Sequence, residues 1–245
     1  VIPSNWNEIS VSQFQELRQL GVTPSDSLTD RYIDTLLTVS EYDLEELEDM
    51  SIDELTDIIA GLGWLRKEPH KKYAKNVGEY SIINFKKITW GMFIDLEYYY
   101  SDYIENLPVI CGILYRQQKE DEWGNVVIEP YKYDPKVRAE LFKTLPITSV
   151  YGVATSYLDF RNDLINVKYS NLFDSGEDYE APEDLKGEDL KEWEKEKAEE
   201  EKFNKWSYES ITLSLANNDI TKMDEVLNKS LIYVLNMLSM KAELD

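Results

Sequence analysis

The stretch Asn7–Gly21, NEISVSQFQELRQLG, reads as a helix with both ends marked. Ser10 and Gln13 have the spacing of a capping box, in which each side chain accepts a backbone N–H that the first helical turn leaves unpaired. Val11, Phe14, Leu17 and Leu20 then recur at threefold spacing along one side, and Gly21 is the expected stop. The same device returns downstream. A helix over Leu28–Thr38 is expected to bury Ile33, Leu36 and Leu37; Ser40 and Asp43 stand ahead of a short helix carrying Leu44 and Leu47. Ser51 with Glu54 opens another, whose Ile52, Leu55 and Ile59 share a face until GLGW (Gly61–Trp64) interrupts it. Three capping signals in so short a span set the fold class as mainly α.

Beyond the basic connector RKEPHKKYAK (Arg66–Lys75), EYSIINFKKIT (Glu79–Thr89) has the alternation and β-branching of a short strand. Thr89 is placed to cap a helix running through ITWGMFIDLEYYY (Ile88–Tyr100) toward Glu105, where NLP interrupts it and a helix over Val109–Arg116 follows. Trp90, Phe93, Ile94 and Tyr98 are expected to form an apolar face against VICGILY (Val109–Tyr115). That leaves Tyr99 and Tyr100 on the outside as candidate interface residues. Gln117–Tyr133 reads as a small hairpin or long loop turning at Gly124, Asp134 and Pro135 as a cap and first turn, and Ile147–Val167 as a long helical run.

The composition changes abruptly at Asp174: up to Glu201 there are 14 acidic and 4 basic residues, against a whole-chain balance of 48 acidic and 26 basic, net -22. The expected organisation is an N-terminal helical region (1–76), a central helical core with a short strand or hairpin (77–173), an acidic linker (174–203) and a tethered C-terminal helical unit (204–245). In that last unit Ser207, Thr221 and Ser230 mark helix starts, and Leu231, Val234, Leu235 and Leu238 form an apolar stripe. About forty residues bury such a stripe poorly alone. The stripe and Trp206 therefore either pack on the rest of the chain or form an interface with another protein.

The chemistry that composition disfavours is as informative. A strongly negative field repels phosphate, so direct nucleic-acid binding is not expected. The 10 glycines form no phosphate-cradling loop, and a single histidine, His70, cannot build a multi-histidine metal site. Cys111, the only cysteine, lies in an apolar run and is expected to be a buried, inert thiol. With no disulfide framework, membrane span or signal-peptide pattern in the sequence, the expected setting is a cytoplasm. Carboxylates such as Asp95 and Glu97 are too abundant for any pair to be diagnostic, and two residues apart on a helix they point in different directions. No catalytic residue, cofactor site or metal site is expected, and the chain is read as a non-enzyme.

NWNEISVSQFQEL (Asn5–Leu17), ITWGMFIDLEYYY followed by NLPVICGILYR (Asn106–Arg116), RAELFKTLPITSVYGVATSYL (Arg138–Leu158) and KWSYESITLSLANNDITKMDEVLNKSLIYVLNML (Lys205–Leu238) occur in that order. Together they resemble the small acidic helical tail-assembly or virion proteins of tailed bacteriophages, of the crAss-like type that infects gut Bacteroidales. The resemblance implies a morphogenesis protein, similar to tail-assembly chaperones that keep a tape-measure protein soluble, or else a neck, tail or packaged component of the virion. It also implies other phage structural or assembly proteins as partners, no membrane, and the host cytoplasm or the virion as the location; a homo-oligomer is compatible with either job. The acidic run motivates a different class, an inhibitor or DNA mimic, which requires carboxylates at phosphate-like spacing on a rigid surface.

Overall fold

In a computed structural model, which describes residues 1–22, 27–124, 126–131, 135–173 and 207–244, the capping signals are met by hydrogen bonds. Gln13 N donates to Ser10 Oγ at 3.2 Å and Ser10 N to Gln13 Oε1 at 2.9 Å, starting α1 (Val11–Val22). Ser27 caps α2 (Leu28–Val39), while complete capping boxes, Asp43 with Glu46 and Ser51 with Glu54, open α3 (Leu44–Glu48) and α4 (Ile52–Gly61). Gly21 lies inside α1 rather than ending it. Within these helices Val11, Phe14, Leu36, Leu47 and Leu55 are buried, whereas Leu37 and Ile52 face out and Val39 takes the expected inward place of Leu37. Short helices expose most of their circumference, so only the residues nearest the contact are covered.

The chain divides into two units, Val1–Ile83 with Leu96–Phe160 and Asn84–Asp95 with Arg161–Asp245. This division cuts across the sequence-based boundaries, since two of the three passages between units fall inside helices, α5 (Trp90–Tyr100) and α8 (Tyr151–Asn162), and the third falls after the strand Tyr80–Ile82.

The first unit adds to α1–α4 a four-stranded antiparallel sheet in the order β1-β2-β3-β4, formed by Asn76–Val77, Tyr80–Ile82, Tyr115–Glu120 and Val126–Ile128. Val77 pairs Tyr80 around a two-residue turn at Gly78 (φ +57°), and Gln118 pairs Ile128 across the turn that holds Gly124 (φ +76°), both in the left-handed region glycine tolerates. The helix expected to reach Arg116 stops earlier: α6 (Leu107–Leu114) gives way to β3 at Tyr115, because Ile82 and Ser81 pair with Tyr115 and Arg116. α6 is buried at nearly every position and packs on α7 (Lys136–Lys143). The expected cap Asp134 lies outside the described residues. The backbone of Ser10 bridges to Pro146, with Val11 N donating to Leu145 O at 2.9 Å and Ile147 N to Ile9 O at 2.8 Å, which ties α1 to the segment before α8.

The second unit contains the first half of α5, the end of α8, a π-helical turn (Asp163–Lys168), α9 (Ser170–Phe173), α10 (Ser207–Leu215), α11 (Met223–Leu227) and α12 (Leu231–Leu244). The long run expected over Ile147–Val167 is thus a 3-10 turn, α8 and the π turn in succession, closed by Tyr169 N donating to Leu164 O at 2.8 Å. Asp219, not Thr221, supplies the cap of the turn before α11. Trp90 N donates to Lys229 O and Leu231 N to Ile88 O, each at 2.9 Å, so α5 and α12 begin side by side. The expected acidic linker lies outside the described residues.

Candidate functional site

α5 was the aromatic stretch in search of a role, and its buried arc is Trp90, Met92, Phe93 and Leu96, each at most 3% exposed. Trp90 stacks on Phe93 at 5.6 Å, and both meet Tyr208 edge-on at 5.7 and 5.8 Å, so within the second unit these rings face its C-terminal helices. Tyr98, expected on that face, is 76% exposed. At 100° per residue it stands opposite Leu96, and a helix that is apolar at almost every position does not announce which arc is inward.

Of the interface candidates in the first unit, Tyr100 is tied inward: its hydroxyl donates to Ala154 O at 2.7 Å, and its ring lies 5.7 Å from Tyr103 and 5.6 Å from Tyr157. Tyr99 is half-buried with its ring 5.0 Å from Tyr98, leaving Tyr98 as the outermost tyrosine of α5. In the second unit Leu231, Val234 and Leu235 are at most 2% exposed, so this chain itself covers the stripe that stood as a candidate interface. Leu238 is half-buried in a groove of about 250 Å³ beside Trp90, Phe173 and Tyr208. Trp206 lies outside the described residues.

α12 carries a second apolar stripe that the first one masked. Tyr233 (54% exposed), Met237, Met240 (50%) and Leu244 (79%) follow one another at spacings of four, three and four, the repeat of a helix-pairing seam. A groove of about 240 Å³ runs beside it, lined by Leu215, Val226, Tyr233 and Met237 with Lys222 and Lys229. The seam spacing was present in the sequence, but the more hydrophobic Leu and Val stripe drew the reading to itself.

Two buried polar features are structural. Arg116 is 3% exposed; its Nε and Nη2 donate to Glu129 O at 3.4 and 3.3 Å, Nη2 also donates to Pro130 O, and the guanidinium lies 5.1 Å from the centre of the Tyr131 ring. Burial pushes it down to about 10, with neighbouring Arg138 adding to the effect and Glu129 opposing it, so it stays charged at neutral pH. The Cys111 thiol is fully buried and pushed far above its ordinary range by desolvation, which removes it as a nucleophile, while His70 is exposed. Among the described residues no group of three or more His, Cys, Asp and Glu could hold a metal ion, and no helix is long and apolar enough to cross a membrane.

A cleft of about 730 Å³ belongs to the first unit. Half-buried Trp6, Leu17 and Leu20 and buried Phe14 give it an apolar wall, which explains why the C-terminal half of the α1 stripe is only partly covered. Exposed Arg18, Arg66 and Lys67 stand around it. No family model, curated protein or solved structure matches the chain.

Proposed function

We propose that this protein is a non-enzymatic morphogenesis factor of a tailed bacteriophage, of the tail-assembly-chaperone kind, which holds a helical segment of another phage protein against the outer face of α12. The phage context rests on the resemblance of its ordered segments to such proteins. The single observation that carries the binding mode is the seam of exposed Tyr233, Met240 and Leu244 with half-buried Met237 between them, on a helix whose other apolar face is already buried. A helix that only had to pack within its own unit needs one apolar stripe; this one has two. Methionines at the centre of the seam suit a site that must accept helices of varied shape, because their unbranched side chains repack readily. The net charge of -22 keeps a chain that displays such a face apart from its own copies.

Co-expression with a helical segment of the phage tape-measure protein tests the reading. A complex is expected with the parent chain, and Tyr233→Lys combined with Met240→Lys is expected to abolish it without lowering the melting temperature, since both side chains are at least half exposed. Failure of any complex to form, or a complex indifferent to the double substitution, removes this mode of binding. Mass spectrometry of purified particles separates a chaperone, expected to be missing from mature virions, from the alternative of a neck, tail or packaged component.

A further inference from the structure

In a chain with nearly two acidic residues for every basic one, the cleft of the first unit has the opposite local balance: Arg18, Arg31, Arg66 and Lys67 face three carboxylates, Glu68, Asp102 and Glu105. The pairing within it is lopsided too. Glu105 accepts from Gln19 Nε2 at 3.2 Å, Asp102 accepts from the Glu105 N–H at 3.4 Å, and Glu68 is hydrogen-bonded to Tyr151. Arg18, Arg66 and Lys67, by contrast, form no ion pair among the described residues. The anions are already served by donors of the chain, and Arg18, Arg66 and Lys67 remain available. The Trp6 indole N–H is fixed on Lys67 O at 2.8 Å and its ring meets Phe14 and Trp64 edge-on at 5.5 and 5.0 Å, so the apolar wall is held rigid between the charged groups.

We propose that this cleft binds an acidic peptide segment of a partner protein, with an apolar side chain seated on Trp6, Leu17 and Leu20 and flanking carboxylates paired with Arg18, Arg66 and Lys67. The volume suits a few side chains of a peptide and exceeds what a small inorganic anion fills. The aromatic wall selects for an apolar anchor, while the guanidinium groups favour planar carboxylates, which they can grip through two parallel hydrogen bonds. Nucleic acid is disfavoured because a long polyanion meets the repulsion of the whole chain, whereas a short segment feels mainly the charges within a Debye length of about 8 Å at physiological salt. The connector that supplies Arg66 and Lys67 goes on to exposed Lys71, Lys72 and Lys75, which extends the cationic character along the chain. This site lies in a different unit from the α12 seam and does not depend on the phage reading.

The test is a fluorescence-anisotropy titration of the full chain against a fluorescein-labelled dodecapeptide of Glu and Asp with a central Leu-Phe pair. Three controls accompany it: the same peptide with Gln and Asn for the acids, the same peptide with Ala for Leu-Phe, and an oligo-dT of equal length. Saturable binding of the acidic apolar peptide alone is expected, weakened roughly tenfold by Arg66→Gln with Lys67→Gln and by added salt, and unchanged by Lys136→Gln. Leu17→Gln, at a half-exposed position, is expected to weaken the acidic apolar peptide while leaving the melting temperature near that of the parent. No binding, equal binding of the neutral peptide, tighter binding of the oligonucleotide, or indifference to the Arg66 and Lys67 substitutions would each overturn the proposal.

Discussion

The Trp90 indole Nε1 donates to Thr212 Oγ1 at 2.8 Å across 122 positions of sequence, and both residues are buried in the second unit. The same hydroxyl donates onward to Tyr208 O at 2.6 Å, so a single side chain satisfies the indole and joins it to α10. Thr212→Val keeps the shape and removes the acceptor, leaving a buried N–H unpaired at a cost of about 1–3 kcal/mol. Thr212→Ser, which retains the hydroxyl, is expected to lose less. Urea unfolding of the two variants measures the difference; equal stabilities would show that the hydrogen bond contributes nothing.

Gly152 sits in α8, where alanine is ordinarily worth up to about 1 kcal/mol over glycine. Here a Cβ would stand 2.5 Å from Lys71 C, 2.6 Å from Lys71 O and 2.7 Å from Lys72 O, all backbone atoms that cannot step aside cheaply. Gly152→Ala is therefore expected to destabilise by about 1–3 kcal/mol. At Gly21 in α1 a Cβ meets nothing within 4 Å among the described residues, so Gly21→Ala is expected to be neutral or stabilising. Thermal melting of the pair checks the opposite signs.

Glu129 pairs with Arg138 at 2.6 Å, both side chains being about one-fifth exposed, and Arg116 is held against its backbone carbonyl. Two guanidinium groups that repel one another thus share the field of the Glu129 carboxylate. Glu129→Ala leaves both without it and is expected to cost about 1–3 kcal/mol, less than a fully buried pair because solvent reaches the site. Glu129→Gln, which keeps an acceptor but no charge, is expected to fall between; chemical denaturation orders the three.

Glu54 Oε2 accepts from Ser51 N at 2.9 Å and Ser51 Oγ at 2.7 Å, which holds its carboxyl below the ordinary value of 4.5, the hydroxyl being the larger cause. A carboxyl with a depressed folded value stabilises the fold fully above its ordinary value and loses that contribution as pH falls through the folded value. The melting-temperature gap between the parent and Glu54→Gln is therefore expected to be widest near neutral pH and to close as pH falls below about 4. Comparing the pair cancels the opposite trend, the relief of whole-chain repulsion as pH approaches the isoelectric point of about 4.4. A gap that stays constant down to acid pH would contradict the assignment.

The mainly α class and the start of α1 were legible because caps are local: Ser10 with Gln13 and Ser51 with Glu54 act within one turn and need nothing distant. The capping of α3 was legible only by half, since Asp43 pairs with Glu46 while Ser40 belongs to the end of α2. What stayed hidden depends on partners remote in sequence. Which of Tyr98 and Leu96 turns inward in α5 is set by packing rather than by the local pattern, which is apolar at both. Arg116 looked like the end of a helix until the strand at Ser81 claimed it. The cations of the cleft come from α1, from α2 and from the connector after α4, and nothing in any one of these segments announces the others.

The second unit is assembled from two separated pieces of chain, and this fixes an order of events during synthesis. Residues 84–95 leave the ribosome well before α10 and α12 exist to receive them. At about 5–20 residues per second, the 122 positions between Trp90 and Thr212 correspond to roughly 6–24 s in which the Trp90 and Phe93 rings lack the cover of Tyr208 and Thr212. Chains stalled or truncated between Phe160 and Tyr208 never gain that cover, so premature termination there yields an aggregation-prone product even though the first unit has all of its own residues.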